Sequence, residues 1–121
     1  MSKERAERHG RWAEIAAIGW LILTGHRILH RRWKCHYGEI DIIARRRKCL
    51  IFVEVKYRKT ASATAFPTIN QQRRICRAAS HFLQSSRLPQ ESQSRFDLIL
   101  LQSHPKPAFN FIRQIKHAWS C

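Results

Sequence analysis

Apolar residues recur at helical spacing in two stretches of the chain. Residues 11–24 carry apolar side chains almost all round a helix, so this first predicted helix is expected to be largely buried and to stop at Gly25. Residues 1–10 are charged, offer little to bury and are expected to be mobile. A second helix is predicted over 68–85. Its inner face consists of Ile69, Cys76, Ala79 and Leu83, and its outer, cationic face of Arg73, Arg74, Arg77 and His81.

The remaining apolar stretches are short and rich in β-branched residues, which predicts strands. The strongest lie at 39–44 and 50–57, joined by a short basic turn within 45–49, so they should form an antiparallel hairpin. Further strands are predicted at 27–33, 95–102 and 108–112, the last followed by a short helical tail to Trp119. The order of these elements predicts an α/β fold, a mixed β-sheet flanked by α-helices, in a single domain over 1–121.

The balance of charge narrows the function. Lys and Arg total 23 against 8 Asp and Glu, which gives a formal net charge of +15. A surface this basic attracts phosphate backbones, so we expect a nucleic-acid partner, DNA more than RNA. A merely cationic protein is the plainer alternative. An anionic membrane surface is less favoured, because no Lys/Arg-rich amphipathic helix stands out, and we expect no membrane partner.

The cysteines and the apolar stretches indicate a compartment. The 4 cysteines are irregularly spaced and contain no Cys-x-x-Cys pair, so a zinc ribbon is not supported. The start of the chain is polar, and the longest apolar stretch is too short to span a bilayer. We therefore expect a cytoplasmic protein with free thiols.

Three of the 8 acids stand inside the predicted apolar hairpin. Side chains alternate along a strand, so Glu39 and Asp41 point the same way, and so do Glu54 and Lys56. If Arg45 pairs with Leu50, Asp41 falls opposite Glu54, and Glu39 falls opposite Lys56. A slip of one residue would put these pairs on opposite faces.

Two carboxylates this close repel each other unless a cation lies between them. Mg²⁺ or Mn²⁺ would suit these oxygen ligands and would activate water beside a phosphate, while Lys56 could stabilise the charge that develops. The residue types therefore fit metal-assisted phosphodiester hydrolysis. An ordinary cross-strand ion-pair network, with Asp41 capping the turn, accounts for the spacing equally well.

The two segments Gly38-Glu-Ile-Asp-Ile-Ile and Phe52-Val-Glu-Val-Lys-Tyr-Arg resemble the signature of the YraN-like family of small bacterial proteins. That family is similar to archaeal Holliday junction resolvases and to the wider PD-(D/E)xK nuclease superfamily. The resemblance implies a restriction-endonuclease-like core with a metal site at the hairpin. It implies that Asp41, Glu54 and the backbone carbonyl of Val55 bind the metal, and that Lys56 is the catalytic lysine.

The resemblance also bears on three flanking positions. Glu14 matches an acid of the first helix that would point toward the metal, and the alternative is a surface acid near a helix N-terminus, favoured there by the helix dipole. Glu39 belongs to the pattern either as an outer ligand or as a partner of Lys56. Gln71 stands where relatives often carry a lysine, and either Arg73 or Arg74 could supply the missing charge.

Weaker candidates complete the picture. Trp33, His36 and Tyr37 lie among basic residues and could stack bases, or could simply pack at the sheet edge. His26 and His30 have metal-ligand spacing but straddle a loop and a strand, and Asp97 is expected to pair with an arginine. The residues expected to contact nucleic acid are Arg31, Arg32, Lys34, Arg58, Arg73, Arg74 and Arg77.

The leading hypothesis is a divalent-metal-dependent endonuclease that binds DNA, including branched or structured DNA. Its catalytic residues would be Asp41, Glu54 and Lys56, with Glu14 and Glu39 in support. The alternatives are a catalytically silent nucleic-acid-binding protein with a nuclease fold and a basic protein bound to ribosomal RNA. Resemblance to resolvases implies a homodimer, because junction cutting needs two matched incisions.

Overall fold

A computed structural model describes residues 3–59, 65–86, 93–102 and 111–121, without the side chains of residues 3–9 and 111. The order of elements is helix, three strands, helix and two strands. They are α1 (Lys3–Leu23), β1 (Arg27–Cys35), β2 (Gly38–Arg46), β3 (Cys49–Arg58), α2 (Ile69–Ser85), β4 (Gln93–Gln102) and β5 (Phe111–Trp119).

The five strands form one mixed sheet in the order β1-β2-β3-β4-β5. β1, β2 and β3 are antiparallel neighbours, β3 and β4 run parallel, and β5 returns antiparallel to β4. Parallel neighbours need a crossover connection, and the chain between β3 and β4 contains α2. The predicted α/β class is confirmed, and the arrangement is that of a restriction-endonuclease-like fold.

The helices cover opposite faces of this sheet. On one face, Ile75, Ala78 and Phe82 of α2 pack against Phe52 and Phe96 of the central strands. A second core forms on the other face and consists of Ala13, Ala17, Leu21, Ile42, Ala44, Ile51, Val53, Ile99 and Leu101. Side chains of β3 therefore alternate between two apolar layers, which explains the nearly continuous apolar run of that strand.

The first helix differs from its prediction in both start and burial. It begins at Lys3 rather than at residue 11. It ends before Gly25, which has a positive φ of 88°, so the predicted C-terminal stop at this glycine is confirmed. The expectation that this helix is largely buried is wrong. Ile15, Ile22 and Leu23 are 62%, 57% and 86% exposed, because the sheet covers one side of α1 only. The mobility expected for residues 1–10 stays a prediction.

The end of the chain is a strand and not a helical tail. β5 runs through Phe111–Trp119, and residues 108–110 of the predicted strand lie outside the described residues. The pairing of β4 with β5 is irregular between Phe96 and Leu98, and His117 has a positive φ of 53°. Such a bulge shifts the alternation of side chains, so the apolar residues of β5 mimic helical spacing.

A disulfide joins Cys76 of α2 to Cys121, with 5.8 Å between the Cα atoms. The expectation that all thiols are free is therefore wrong for these two residues, because the fold brings residues 45 apart in sequence into contact. Cys35 and Cys49 are free thiols. The cytoplasmic location stays a prediction.

Candidate active site

The hairpin of β2 and β3 has the register that the sequence predicted. Arg45 pairs with Leu50, and the two-residue turn Arg47-Lys48 is tighter than expected, with a positive φ of 56° at Arg47. Pairing continues to Ile42 and Val53 and then stops. Asp41 and Glu54 therefore follow the last pair on each strand, at the end of the hairpin opposite the turn.

The carboxylate of Asp41 fills the place where the ladder stops. Its Oδ2 accepts a hydrogen bond of 2.8 Å from the backbone N–H of Val55, which lies two residues past the last paired position of β3. The side chain therefore satisfies a backbone donor that β2 no longer reaches. The structure thus gives the N–H of Val55 a role, and the predicted metal contact of its carbonyl stays a prediction.

Glu54 is half-buried beside Asp41, and this environment raises its pKa to about 9. The largest cause is desolvation by burial, followed by a hydrogen bond to Asp41 and by the negative charge of that residue. Lys56 acts in the opposite direction, and Glu39 adds to the rise. A carboxyl that keeps its proton beside a second carboxylate is a group that a cation could ionise. We call Asp41 and Glu54 the acid pair.

Lys56 and Glu39 belong to the electrostatic surroundings of the acid pair, as the sequence predicted. Lys56 is half-buried on β3, and Glu39 is exposed on β2, where its Cα partner is Lys34 of β1. The pairing of β2 with β3 does not extend to these positions, so their predicted direct opposition is not part of the sheet ladder. Both charges nevertheless act on Glu54.

Glu14 of α1 points to Arg32 of β1. The Nε of Arg32 donates a 2.7 Å hydrogen bond to the Glu14 carboxylate, whose side chain is 15% exposed. Arg32 has a positive φ of 50° and also interacts electrostatically with Glu39 and Asp41. The Arg32 guanidinium therefore binds Glu14 and also acts electrostatically on Asp41. The predicted roles of Glu14 beside a metal and of Arg32 on nucleic acid stay predictions.

The donor set suits a divalent cation in part. Within the described ranges, no three His, Cys, Asp or Glu side chains form a cluster that would hold a metal ion. The acid pair itself offers two hydrogen-bonded carboxyl groups, and burial, with the neighbouring Asp41, raises the pKa of Glu54; two carboxyl oxygens of this kind are ligands that hard cations prefer. Magnesium is commonly held by one or two carboxylates and completes its shell with water, so the acid pair fits this ion.

Gln71 is engaged at the start of α2. Its backbone N–H donates to the Thr68 hydroxyl at 3.1 Å, and its side-chain Oε1 accepts from the Thr68 N–H at 3.0 Å. This reciprocal pair is a capping box that satisfies two otherwise free backbone donors. In this chain glutamine at position 71 therefore has a structural role that a lysine would not provide.

The basic residues predicted to contact nucleic acid divide between the two faces of the sheet. Arg31 and Arg32 line a groove of about 410 Å³ with Arg11 and Ile15 of α1. Arg73, Arg74 and Arg77 are exposed along α2 on the opposite face, and Lys34 is exposed on β1. The Nε of Arg58 donates to the side chain of Gln102 at 2.8 Å.

Two residues that line surface grooves were not among the predicted site residues: Arg11, and His81, for which the sequence predicts only a place on the cationic face of α2. Arg11 precedes Glu14 by three residues on one helix, a spacing that places both on the same side and could have revealed it. His81 contacts the ring of Tyr37, with 6.0 Å between ring centroids. His81 belongs to α2 and Tyr37 to the β1–β2 turn, so only the fold brings these two residues together.

The aromatic residues before the motif have two different environments. Trp33 is half-buried, with its ring centroid 5.3 Å from that of Phe82, so it packs at the sheet edge. His36 and Tyr37 are exposed, and their ring centroids lie 3.9 Å apart.

Three further residues have structural roles. His26 is buried, with Nδ1 3.1 Å from the carbonyl oxygen of Leu21, and burial lowers its pKa. His30 instead contacts Phe82 on the α2 side, so the two histidines do not share a site. Asp97 is completely buried and accepts hydrogen bonds from Arg95, as predicted, and from other donors. These donors are the side chain of Gln114 and the N–H of His117.

The mixed sheet, its two covering helices and the acid pair at the open end of the central hairpin define a restriction-endonuclease-like α/β protein. The model of the uncharacterised protein family UPF0102 matches residues 13–101, so the chain belongs to that family.

Relatives are similar over most of their length. A UPF0102 protein of Lachnoclostridium phytofermentans is 41% identical over 110 residues, which cover 88% of this chain and 87% of the relative. One of Maricaulis maris is 42% identical over 106 residues, covering 83% and 80% of the two chains. One of Treponema pallidum is 40% identical over 99 residues, covering 79% of each.

Among the described residues, α1 and α2 are both too short or too polar to cross a bilayer as a helix.

Proposed function

We propose that this protein is a divalent-metal-dependent endonuclease that binds DNA, including branched or structured DNA, and hydrolyses its phosphodiester bonds. The observation that carries the proposal is the acid pair. Asp41 and Glu54 meet where β2 and β3 separate, and Glu54 keeps a proton at neutral pH. A structural ion-pair network would instead neutralise these carboxylates with direct cation contacts.

Mg²⁺ or Mn²⁺ would be held by Asp41, Glu54 and the carbonyl of Val55. The ion would supply Lewis-acid stabilisation of a phosphoryl oxygen and would lower the pKa of a coordinated water. The chain itself contributes position and charge. Lys56 lies beside Glu54 and offers an ammonium that can donate to a phosphate oxygen as negative charge develops. Arg32 is bonded to Glu14 and interacts electrostatically with Asp41, so its guanidinium can orient a neighbouring phosphate.

The charge of the molecule supports a nucleic-acid substrate. A formal charge of +15 favours a polyanion, and the exposed arginines occupy both flanks of the acid pair, Arg31 on the α1 side and Arg74 on the α2 side. Arg74 is close to the start of β2, since a Cβ at Gly38 would lie 3.7 Å from its Cβ. A phosphate backbone that reaches the acid pair would therefore meet cations on both sides.

Calorimetric titration with Mg²⁺ and then Mn²⁺ tests the site. Binding should release protons, because Glu54 must ionise, and the release is measured by repeating the titration in buffers of different ionisation enthalpy. Asp41→Asn is a more specific test than Asp41→Ala, because its amide oxygen can still accept the hydrogen bond from the Val55 N–H while the carboxylate charge is lost. Metal binding that persists unchanged in Asp41→Asn would refute the site.

Cleavage of labelled flap, junction and duplex DNA tests the reaction. Lys56→Gln should lower the rate by about 100-fold or more, as loss of a charge-stabilising donor does. The matched control is Lys48→Gln, which removes the same charge from the turn at the other end of the hairpin. Equal losses in both variants would show that Lys56 contributes only general attraction for DNA.

A catalytically silent nucleic-acid-binding protein is the second candidate. Two observations favour it: Glu14 is paired with Arg32 instead of joining the acid pair, and Gln71 caps α2 at the position where the resemblance stated above implies a lysine. It predicts salt-sensitive DNA binding without product in Mg²⁺ or Mn²⁺. Metal binding at the acid pair combined with cleavage would exclude this candidate.

Self-association is a separate part of the proposal. Ile15, Ile22 and Leu23 form an exposed apolar stripe along α1, a surface suited to a second copy in a homodimer. Sedimentation equilibrium of the wild type and Ile22→Asp tests this, since a dimer that uses the stripe should dissociate in the variant. A wild-type monomer at high concentration would end the dimer proposal and leave the acid pair unaffected.

A further inference from the structure

A groove on the α2 side of the protein combines aromatic rings with cationic and hydrogen-bonding side chains. It has a volume of about 340 Å³ and is lined by Tyr37, Cys76, Arg77, Ser80, His81 and Gln84. We call it the Tyr37 groove. Its volume is that of a small-ligand pocket, at the lower end of the usual range.

The rings of the groove belong to a larger, partly exposed cluster. Tyr37 is 40% exposed, its ring centroid is 3.9 Å from that of His36, and His81 lies 5.6 Å from His36. Deeper rings, Trp33 and Phe82, support the cluster from the core side. A large ring left exposed on such a support is held in place and offers one free surface for stacking.

The electrostatic setting of the groove favours an anion. The sequences of α2 and β1 contain no Asp or Glu, while Arg73, Arg74 and Arg77 are exposed on α2. Arg77 itself lines the groove, with Ser80 and Gln84 one and two helical turns further along. A ligand with a flat polar ring and a negative charge would match stacking, hydrogen bonds and cation together.

The groove also has a fixed wall and a fixed relation to the acid pair. Cys76 is bonded to Cys121, so this wall is covalently tied to the end of β5. Tyr37 precedes Asp41 by four residues, which corresponds to about 13 Å along a strand. This length spans roughly four stacked nucleotides of one strand. The side chains of Phe52 and Glu54 alternate onto the face that α2 covers, so the groove and Glu54 lie on the same side of the sheet.

We infer that the Tyr37 groove binds an unpaired nucleobase of single-stranded DNA, with the base stacked on Tyr37 and its phosphate beside Arg77. The inference rests on the proposed nuclease function and names its substrate class: DNA with a displaced strand next to a duplex. Bases of an intact duplex are stacked inside the helix and cannot reach the rings, whereas bases of a splayed arm can.

The test compares a splayed fork with a blunt duplex of the same paired sequence by fluorescence anisotropy. EDTA prevents cleavage, and salt is fixed because phosphate contacts depend steeply on it. The wild type should bind the fork at least about tenfold more tightly, and Tyr37→Ala should lower fork affinity by about 5- to 100-fold while duplex affinity stays the same. Tyr37→Phe keeps a ring and should keep the preference.

The matched control is Phe66→Ala. Phe66 is 44% exposed and contacts Trp119, so it is an equally exposed ring outside the groove, and its loss should change neither affinity. A fluorescent adenine analogue in the unpaired arm gives a readout that needs no variant, because stacking on a ring should quench it in the wild-type complex.

Each result decides between defined conclusions. Equal affinity for fork and duplex, an unquenched analogue, or a preference that survives Tyr37→Ala would overturn the base-binding groove and leave the proposed nuclease intact. Binding of neither DNA would overturn both. A fork with RNA arms that binds more tightly than the DNA fork, in a Tyr37-dependent way, would overturn the assignment to DNA.

Discussion

Replacing Glu54 with glutamine should make the protein more stable at neutral pH. The Glu54 carboxyl has a pKa of about 9 in the folded protein, against an ordinary value of 4.5. Between these two pH values the folded state therefore holds a proton that the unfolded state has lost. Stability falls as pH rises through this window, because unfolding releases the proton. Glutamine has no proton to lose and keeps a donor for Asp41.

The magnitude follows from the width of that window. Each pH unit within it costs about 1.4 kcal/mol of unfolding free energy for one proton. Near pH 7 the wild type lies about 2.5 units above the ordinary pKa, so Glu54→Gln should be more stable by about 3 kcal/mol. Near pH 5 the two proteins should differ by less than about 1 kcal/mol.

Urea unfolding in EDTA, repeated from about pH 5 to about pH 9, measures this difference. Glu39→Gln is the matched control, because it removes a neighbouring carboxyl that is exposed. Its stability should differ from that of the wild type by an offset that changes little with pH. Stability profiles of wild type and Glu54→Gln that run parallel would refute the assignment of a retained proton to Glu54.

Three further predictions concern the framework around the site. Asp97→Ala should lower the free energy of unfolding by about 3 kcal/mol, because it removes a buried acceptor for Arg95 and two other donors; a loss below about 1 kcal/mol in urea unfolding would contradict this. Gln71→Lys should lower the free energy of unfolding by about 0.5–1 kcal/mol and raise the mobility of the α2 start, because it removes the side-chain acceptor for the Thr68 N–H. Thermal unfolding measures this loss, and an equal or higher Tm in the variant would show that the cap is dispensable. Cys121→Ser should lower the free energy of unfolding, measured by scanning calorimetry, by about 4 kcal/mol, the chain-entropy value for a separation of 45 residues. Cys35→Ser, which removes a free thiol, should have little effect, and equal losses in the two variants would contradict the disulfide.

The hairpin could be predicted because two independent patterns in the sequence agree on it. Alternation fixes which residues share a face, and the basic turn fixes which residues pair, so Arg45 and Leu50 were placed correctly. The same patterns brought Asp41 and Glu54 to one end of the hairpin. They could not reveal that the pairing of β2 with β3 stops at Ile42, because the end of this ladder depends on the neighbouring strands β1 and β4 and on the two helices.

The failures share a physical cause, which is that apolar spacing does not specify the packing partner. The pattern of α1 is apolar on every side, but only one side faces the sheet, so Ile15 and Ile22 are exposed. In β5 the bulge near His117, which donates its N–H to Asp97, breaks the alternation that would have identified a strand.

Long-range contacts at the site were equally hidden from the sequence. The bond between Glu14 and Arg32 depends on a left-handed backbone at Arg32, a conformation that sequence favours for glycine and asparagine and seldom for arginine. The disulfide between Cys76 and Cys121 likewise follows from the return of β5 along β4, which brings the end of the chain to α2.

The unequal support of β3 has a mechanical consequence. β4 holds β3 along its whole length, from Cys49 to Arg58, whereas β2 holds it only up to Val53. Glu54 and Lys56 therefore stand on a strand that β4 holds throughout, whereas the first residues of β2, which include Asp41, are held by β1 and by the hydrogen bond from Val55 to Asp41. A change in the separation of the two carboxylates would therefore break the bond from the Val55 N–H to Asp41 and would move the paired end of β1 together with β2.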